Sequence, residues 1–151
     1  MASLGFDLLD RHVIDGHGDD IACTDADGSL TYALLLEQAA ALGGGLRAIG
    51  LRADDEVALT VSRGNLQVVI VCACARIGAV PTGDGAIRID DEGGTAVVHL
   101  DDETIDLAPI TKAGKTDPAS ARAEDPPGYR DGFGGAFEHI VESLLARTPI
   151  T

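Results

Sequence analysis

The stretch EVALTVSRGNLQVVIVCACARIGAVP, from Glu56 to Pro81, decides the fold. Glu56–Ser62 alternates in a strand's rhythm and carries β-branched residues. Asn65–Ile77 is apolar on almost every side, which predicts a helix buried between layers. Gly78 stops that helix, and Ala79-Val80-Pro81 starts a second strand. Strand, buried helix, strand is the repeating unit of an α/β layered sheet. Cys72-Ala73-Cys74 inside the helix points its two thiols about 200° apart, so both read as small buried residues rather than a metal or redox pair.

Upstream, Thr31-Tyr32 opens the clearest helix of the chain. Leu35, Ala39, Leu42, Leu46 and Ile49 recur at spacings of four and three and form one apolar stripe. The Thr31 hydroxyl stands where an N-cap accepts from an early backbone N–H. Gly50 stands where a left-handed C-terminal cap belongs. Gly43-Gly44-Gly45 costs this helix about 2–3 kcal/mol relative to alanines, which implies either close approach of a neighbouring strand or a local break. Ile21–Thr24 and Ser29–Thr31 flank the turn residues Asp25-Ala26-Asp27-Gly28 and predict a tight hairpin. Ser3–Ile14 predicts a short amphipathic helix, with Leu4, Leu8 and Leu9 opposite Asp7, Asp10 and Arg11, broken by Asp15–Asp20.

Beyond Pro81 the texture changes. Ala86–Asp90, Thr95–Leu100 and Thr104–Leu107 are strand-like runs separated by turn residues, the pattern of an antiparallel meander. Between Asp84 and Asp106 stand eight acids and one base, Arg88, which reads as a solvated rim because no loop has calcium-binding spacing. Thr111–Gly135 is rich in Gly, Pro, Ala and Asp and reads as an extended surface loop. Gly134–Arg147 predicts a closing helix with Phe137, Ile140, Val141, Leu144 and Leu145 on one face, which favours docking on its own domain over a partner. The expected organisation is an α/β domain with a meander extension over 1–110, a flexible linker over 111–133 and a C-terminal amphipathic helix over 134–151.

The composition excludes several classes of function. With 151 residues, 45% of them hydrophobic, the chain buries the core of one domain. Eleven basic residues against 25 acidic ones give a net charge of −14, the wrong sign for nucleic-acid recognition. Five aromatics and no Trp leave no base-stacking platform. MASLGFDLLD has neither a cationic start nor a long apolar run, so no signal peptide is expected. Val68–Ala75, closed by Arg76, is too short to cross a bilayer. Three cysteines without disulfide-framework spacing suit reduced thiols, and a cytoplasmic location without membrane association is expected.

No catalytic, cofactor-binding or metal-binding residue emerges from spacing. Gly114-Lys115-Thr116 resembles the end of a phosphate loop, but the glycine required five residues earlier is Pro109, and Asp117-Pro118 follows where a helix should open. No Gly-x-Gly-x-x-Gly follows a strand, and no Ser stands in a Gly-x-Ser-x-Gly elbow. His12, His17, His99 and His139 lack ligand spacing. His17 beside Asp19 and Asp20 is the one local cluster with the chemistry of a base or cation site, and it reads by default as a solvated turn.

Three segments carry a resemblance. Leu30-Thr31-Tyr32 opens the first long helix; Leu46-x-x-x-Gly50-Leu51 leaves it and runs through Asp54-Asp55 into Val57-Ala58-Leu59; Ala75-Arg76-Ile77-Gly78-Ala79-Val80-Pro81 ends the buried helix. In order and spacing, residues 4 to about 81 resemble the N-terminal start of the adenylate-forming superfamily, which includes acyl-CoA synthetases and nonribosomal-peptide adenylation domains. The resemblance implies a flavodoxin-like layered sheet with flanking helices, here followed by a small β-meander and a C-terminal helix. The family usually has Gly-Asp where this chain has Asp54-Asp55.

The resembling segment is scaffold in those enzymes, and it stops before their phosphate loop. A Thr/Ser/Gly-rich loop ending in Pro-Lys, the acidic nucleotide motifs and the catalytic lysine have no counterpart here, and Lys112 and Lys115 match none of them. The implied function is a truncated acyl-CoA-synthetase-like protein without its own adenylation site or cofactor, acting as an association or regulatory module. Its expected partner is a second copy or an adenylate-forming protein. A subunit of a split ligase and an independent acyl or nucleotide binder are the alternatives.

Overall fold

The computed structural model describes residues 2–62, 64–91, 93–133 and 137–151. The deciding stretch folds as read. β3 (Glu56–Thr60), α2 (Gly64–Ile77) and β4 (Val80–Thr82) follow one another, and the outer strands pair in parallel with Val57 opposite Pro81. Every residue of α2 from Val68 to Ile77 is buried, which explains its all-round apolar character. Before it come the hairpin β1 (Ile21–Asp25) and β2 (Gly28–Thr31), then α1 (Tyr32–Ala48). The Thr31 hydroxyl accepts from the Leu34 N–H at 3.2 Å, and Gly50 takes φ +113° just past the C-cap, Ile49.

The meander is not a separate appendage. β5 (Ile87–Asp90) joins β3 on its free side in parallel; β6 (Val97–Leu100) and β7 (Glu103–Asp106) continue antiparallel. The result is one mixed sheet ordered β4-β3-β5-β6-β7. Register puts Leu59, Ile89, Val98 and Ile105 in one row, and the first three of these are buried. The row on the opposite face is Ala58, Arg88, His99 and Thr104, polar beyond its first member. The sheet is therefore apolar on one face and largely polar on the other, as period-two alternation requires.

Three expectations change. Leu107 is not strand: it opens α3 (Leu107–Gly114), with Pro109 in the first turn, where a missing N–H is harmless. The triple glycine does meet a close neighbour, but the neighbour is α3 and the chain after it rather than a strand. A β-carbon on Gly45 would overlap the Ile110 carbonyl, one on Gly44 the Asp117 carbonyl, and one on Gly114 the Ala41 carbonyl. The stretch expected as an extended surface loop is packed at several points. Ala119, Tyr129 and Phe133 are buried, and the Tyr129 hydroxyl donates to the Ala79 carbonyl at 2.5 Å. Asp125 accepts from the Leu4 N–H at 3.0 Å, and Arg130 pairs with both Asp7 and Asp125.

The N-terminal segment is helical from Leu4, with π-helical turns at Phe6–Asp10 and Val13–His17, and its backbone kinks out of the helix at Gly16 (φ +92°), inside the predicted break. Short α4 (Tyr129–Gly132) precedes α5 (Glu138–Ala146), which lies on this N-terminal helix with Ile140 and Leu144 buried. Residues 134–136 of the predicted closing helix lie outside the described residues. Ile150 then forms one isolated parallel bridge to Cys23, alongside the hairpin.

Candidate functional site

A groove of about 660 Å³ opens at the carboxyl ends of β3 and β5, the end where open α/β sheets take ligands. Its wall is built from three elements: Leu66 in the first turn of α2, Ala96 before β6, and Leu107, Ala108, Lys112 and Lys115 from α3 and its cap. The Leu107 N–H donates to the Ala96 carbonyl at 2.9 Å and stitches the start of α3 to the start of β6. Ala96 and Leu107 are buried, while Ala108 and both lysines are exposed. The two lysines are the only ones in the chain. Lys112 lies in the last turn of α3 and Lys115 is its C-cap, where ammonium groups complement the helix dipole.

The residues singled out in sequence are placed as follows. Gly114 lies at the carboxyl end of α3, pressed against α1, so Gly114-Lys115-Thr116 does not present backbone N–H groups to a phosphate. The N-terminus of α2 is capped by a carboxylate, Asp25, which accepts from the Asn65 N–H at 2.9 Å and opposes an anion there. Asn65 Oδ1 is buried without a hydrogen-bond partner among the described residues and lies beside a shallower groove of about 290 Å³ at the hairpin turn.

His17 Nδ1 lies 3.1 Å from Asp20 Oδ2 and 3.1 Å from Arg147 Nη1, so the cluster ties the N-terminal helix to the end of α5. His12 is buried. Its Nε2 donates to the Leu144 carbonyl at 2.8 Å, and its ring stands edge-on to Tyr32. Burial pushes the His12 pKa below its usual value. His139 is exposed on α5. All three cysteines are free and buried; burial pushes the Cys23 thiol up to about 11 and the Cys74 thiol up to about 12, which leaves them inert. Among the described residues no group of three or more His, Cys, Asp or Glu side chains is placed to hold a metal ion, and no helix is long and apolar enough to cross a membrane.

Sequence reasoning missed two constellations. One is the groove itself, because the sequence around α3 carries the alternation of a strand and the composition of a loop. The other is a cross-strand chain on the polar sheet face. Asp90 Oδ2 lies 2.8 Å from His99 Nε2, and His99 Nδ1 lies 3.2 Å from Thr104 Oγ1. Alternation in the three predicted strands carried the signal for that second cluster, but only once the register was known.

Residues 10–83 match the family model for AMP-binding enzymes. The chain is 33% identical over 86 residues to the mitochondrial acyl-CoA synthetase short-chain family member 3 of Mus musculus, covering 53% of this chain and 13% of that protein. It is 30% identical over 133 residues to an acetyl-coenzyme A synthetase of Burkholderia lata, covering 80% of this chain and 19% of the relative. The chain thus spans less than a fifth of the length of these curated relatives. Among solved structures, the N-terminal subdomain of Klebsiella oxytoca NpsA in complex with 3-hydroxyanthranilyl-AMSN superposes with a TM-score of 0.54 at 21% identity, over 62% of this chain and 28% of that one. That likeness fixes the fold, and the sequence matches fix the relationship. Through residues 10–83 the chain belongs to the adenylate-forming, AMP-binding enzyme superfamily, as a segment of its N-terminal scaffold.

Proposed function

We propose that this chain is an acyl-CoA-synthetase-like module that does not itself form acyl adenylates and acts by association. One observation carries the reading: the family-matched scaffold is packed by α3, Tyr129 and α5, elements that follow it in this same chain. Adenylation must stabilise charge developing on a triphosphate, with backbone amides, a cation and a lysine aimed at it. Here the one loop-like Gly-Lys-Thr stands at the wrong end of a helix. The partner in this proposal is a second copy, in a reducing cytoplasm that suits three buried free thiols. Light scattering at micromolar concentration tests it: a homodimer is expected, and a clean monomer would remove self-association. Co-purification of an adenylate-forming protein would favour the split-ligase alternative instead.

The groove under α3 favours a second reading, a small-molecule binder. A groove of about 660 Å³ at the carboxyl ends of β3 and β5 has the size and place of a ligand site. Thermal-shift screening against fatty acids, acyl-CoA, AMP and ATP checks it, and a rise of several degrees for one class is the supporting result.

A further inference from the structure

We infer that the groove under α3 takes an alkyl chain ending in a phosphate monoester, its tail along Leu66, Ala96 and Leu107 and its headgroup between Lys112 and Lys115. The inference rests on the small-molecule reading of that groove and adds the chemical class of the ligand. The apolar wall is supplied by three separate elements, and both of the chain's lysines line it. The lysines are three residues apart on α3 and its cap, a spacing that puts them on one helix face.

Charge accounts for the choice of headgroup. Six arginines of this acidic chain, Arg11, Arg47, Arg76, Arg88, Arg130 and Arg147, stand in ion pairs with aspartates. Among the described residues neither Lys112 nor Lys115 forms one. The carboxyl end of α3 carries roughly half a negative charge, and Glu37, which shares an adjoining groove with Lys115, forms no ion pair with it among the described residues, so the lysine pair stays net positive and is matched by a dianion better than by a monoanion. A phosphate monoester bears about −1.5 to −2 at neutral pH. The molecule's −14 does not cancel this attraction at contact range, because fields from charges beyond about 10 Å are screened at 0.1 M salt.

Isothermal titration of the full chain with decyl phosphate, decanoate and decanol tests the inference. Decyl phosphate should saturate a single site, at least tenfold tighter than decanol and tighter than decanoate, and should weaken as salt rises. Lys112→Met with Lys115→Met, both at exposed positions, should bring decyl phosphate to the affinity of decanol. Ala108→Glu, at an exposed position on the groove wall, should abolish binding of all three. Equal binding of decyl phosphate and decanol by the unaltered chain would overturn the headgroup assignment and leave the groove as a binder of apolar tails. Saturable binding by none of the three would overturn the ligand site altogether. Decyl phosphate binding that survives Ala108→Glu would place the ligand elsewhere and overturn the inference. Vesicles bearing phosphatidate should leave the chain in the supernatant, since an anionic surface repels −14; co-sedimentation would reassign the lysines to a membrane headgroup.

Discussion

Asp54 takes φ +71° in the turn before β3, with its N–H donating to the Gly78 carbonyl at 2.8 Å. The superfamily usually has glycine here, and the left-handed backbone supplies the reason, since a β-carbon is crowded in that region and aspartate tolerates it only in part. Asp54→Gly should therefore stabilise the chain by about 0.5–1 kcal/mol, read as a higher urea midpoint with an unchanged slope; a lower midpoint would show that the aspartate is there for its carboxylate. Residues whose role is local were legible. Thr31 had to cap and Gly50 had to turn, because each partner lies within a few positions along the chain. Tyr129 was not legible, because the carbonyl that takes its hydroxyl belongs to Ala79, far away in sequence, and nothing periodic surrounds it.

At the scale of elements, α1 and α3 cross on glycine. Backbone lies against backbone at Gly45 and Gly114, closer than any side chain permits, so the helix-propensity cost of the triple glycine is offset by packing. Gly45→Ala gains about 1 kcal/mol of propensity, yet it should destabilise the chain by about 2 kcal/mol or more, because the added carbon meets the rigid Ile110 carbonyl. Chemical denaturation measures this, and a stabilised variant would contradict the crossing. The sequence could signal that something approached, but the partner was hidden by the alternation of Thr104–Leu107 and by Pro109, both of which speak against the helix that forms.

A second element-level device joins the N-terminal helix, α1 and α5 through His12, whose Nε2 holds the last-turn carbonyl of Leu144. Burial depresses its pKa in the folded chain. Stability from the neutral ring is therefore complete above the unfolded value of about 6.5 and falls as pH drops below it, by at most about 1.4 kcal/mol per unit. Burial raises the Asp7 carboxyl, but hydrogen bonds from Arg130 and Arg11 outweigh it and hold the pKa below its ordinary value. Its contribution is present above about pH 4 and is lost only in stronger acid. Urea midpoints at pH 7.5 and 5.5 should drop for the native chain and converge for His12→Gln, which keeps a donor but no titration in that window. An equal drop in both would assign the acid sensitivity to other groups.

For the molecule as a whole, the order β4-β3-β5-β6-β7 joins a parallel core to an antiparallel edge. The two halves were legible separately, because each has its own periodicity. Their fusion into one sheet was not, since the β3–β5 pairing is a long-range choice that leaves no local mark. If the proposed self-association holds, dilution below micromolar should shift the chain toward monomer in sedimentation velocity; a monomer at every concentration would contradict it. On the proposed function, the scaffold is present here without the power to activate a carboxylate. ATP–pyrophosphate exchange with a panel of fatty and amino acids, using the purified chain alone, measures that power most directly. Exchange at the no-enzyme background for every acid is the expected result, and robust exchange with any one of them would contradict it.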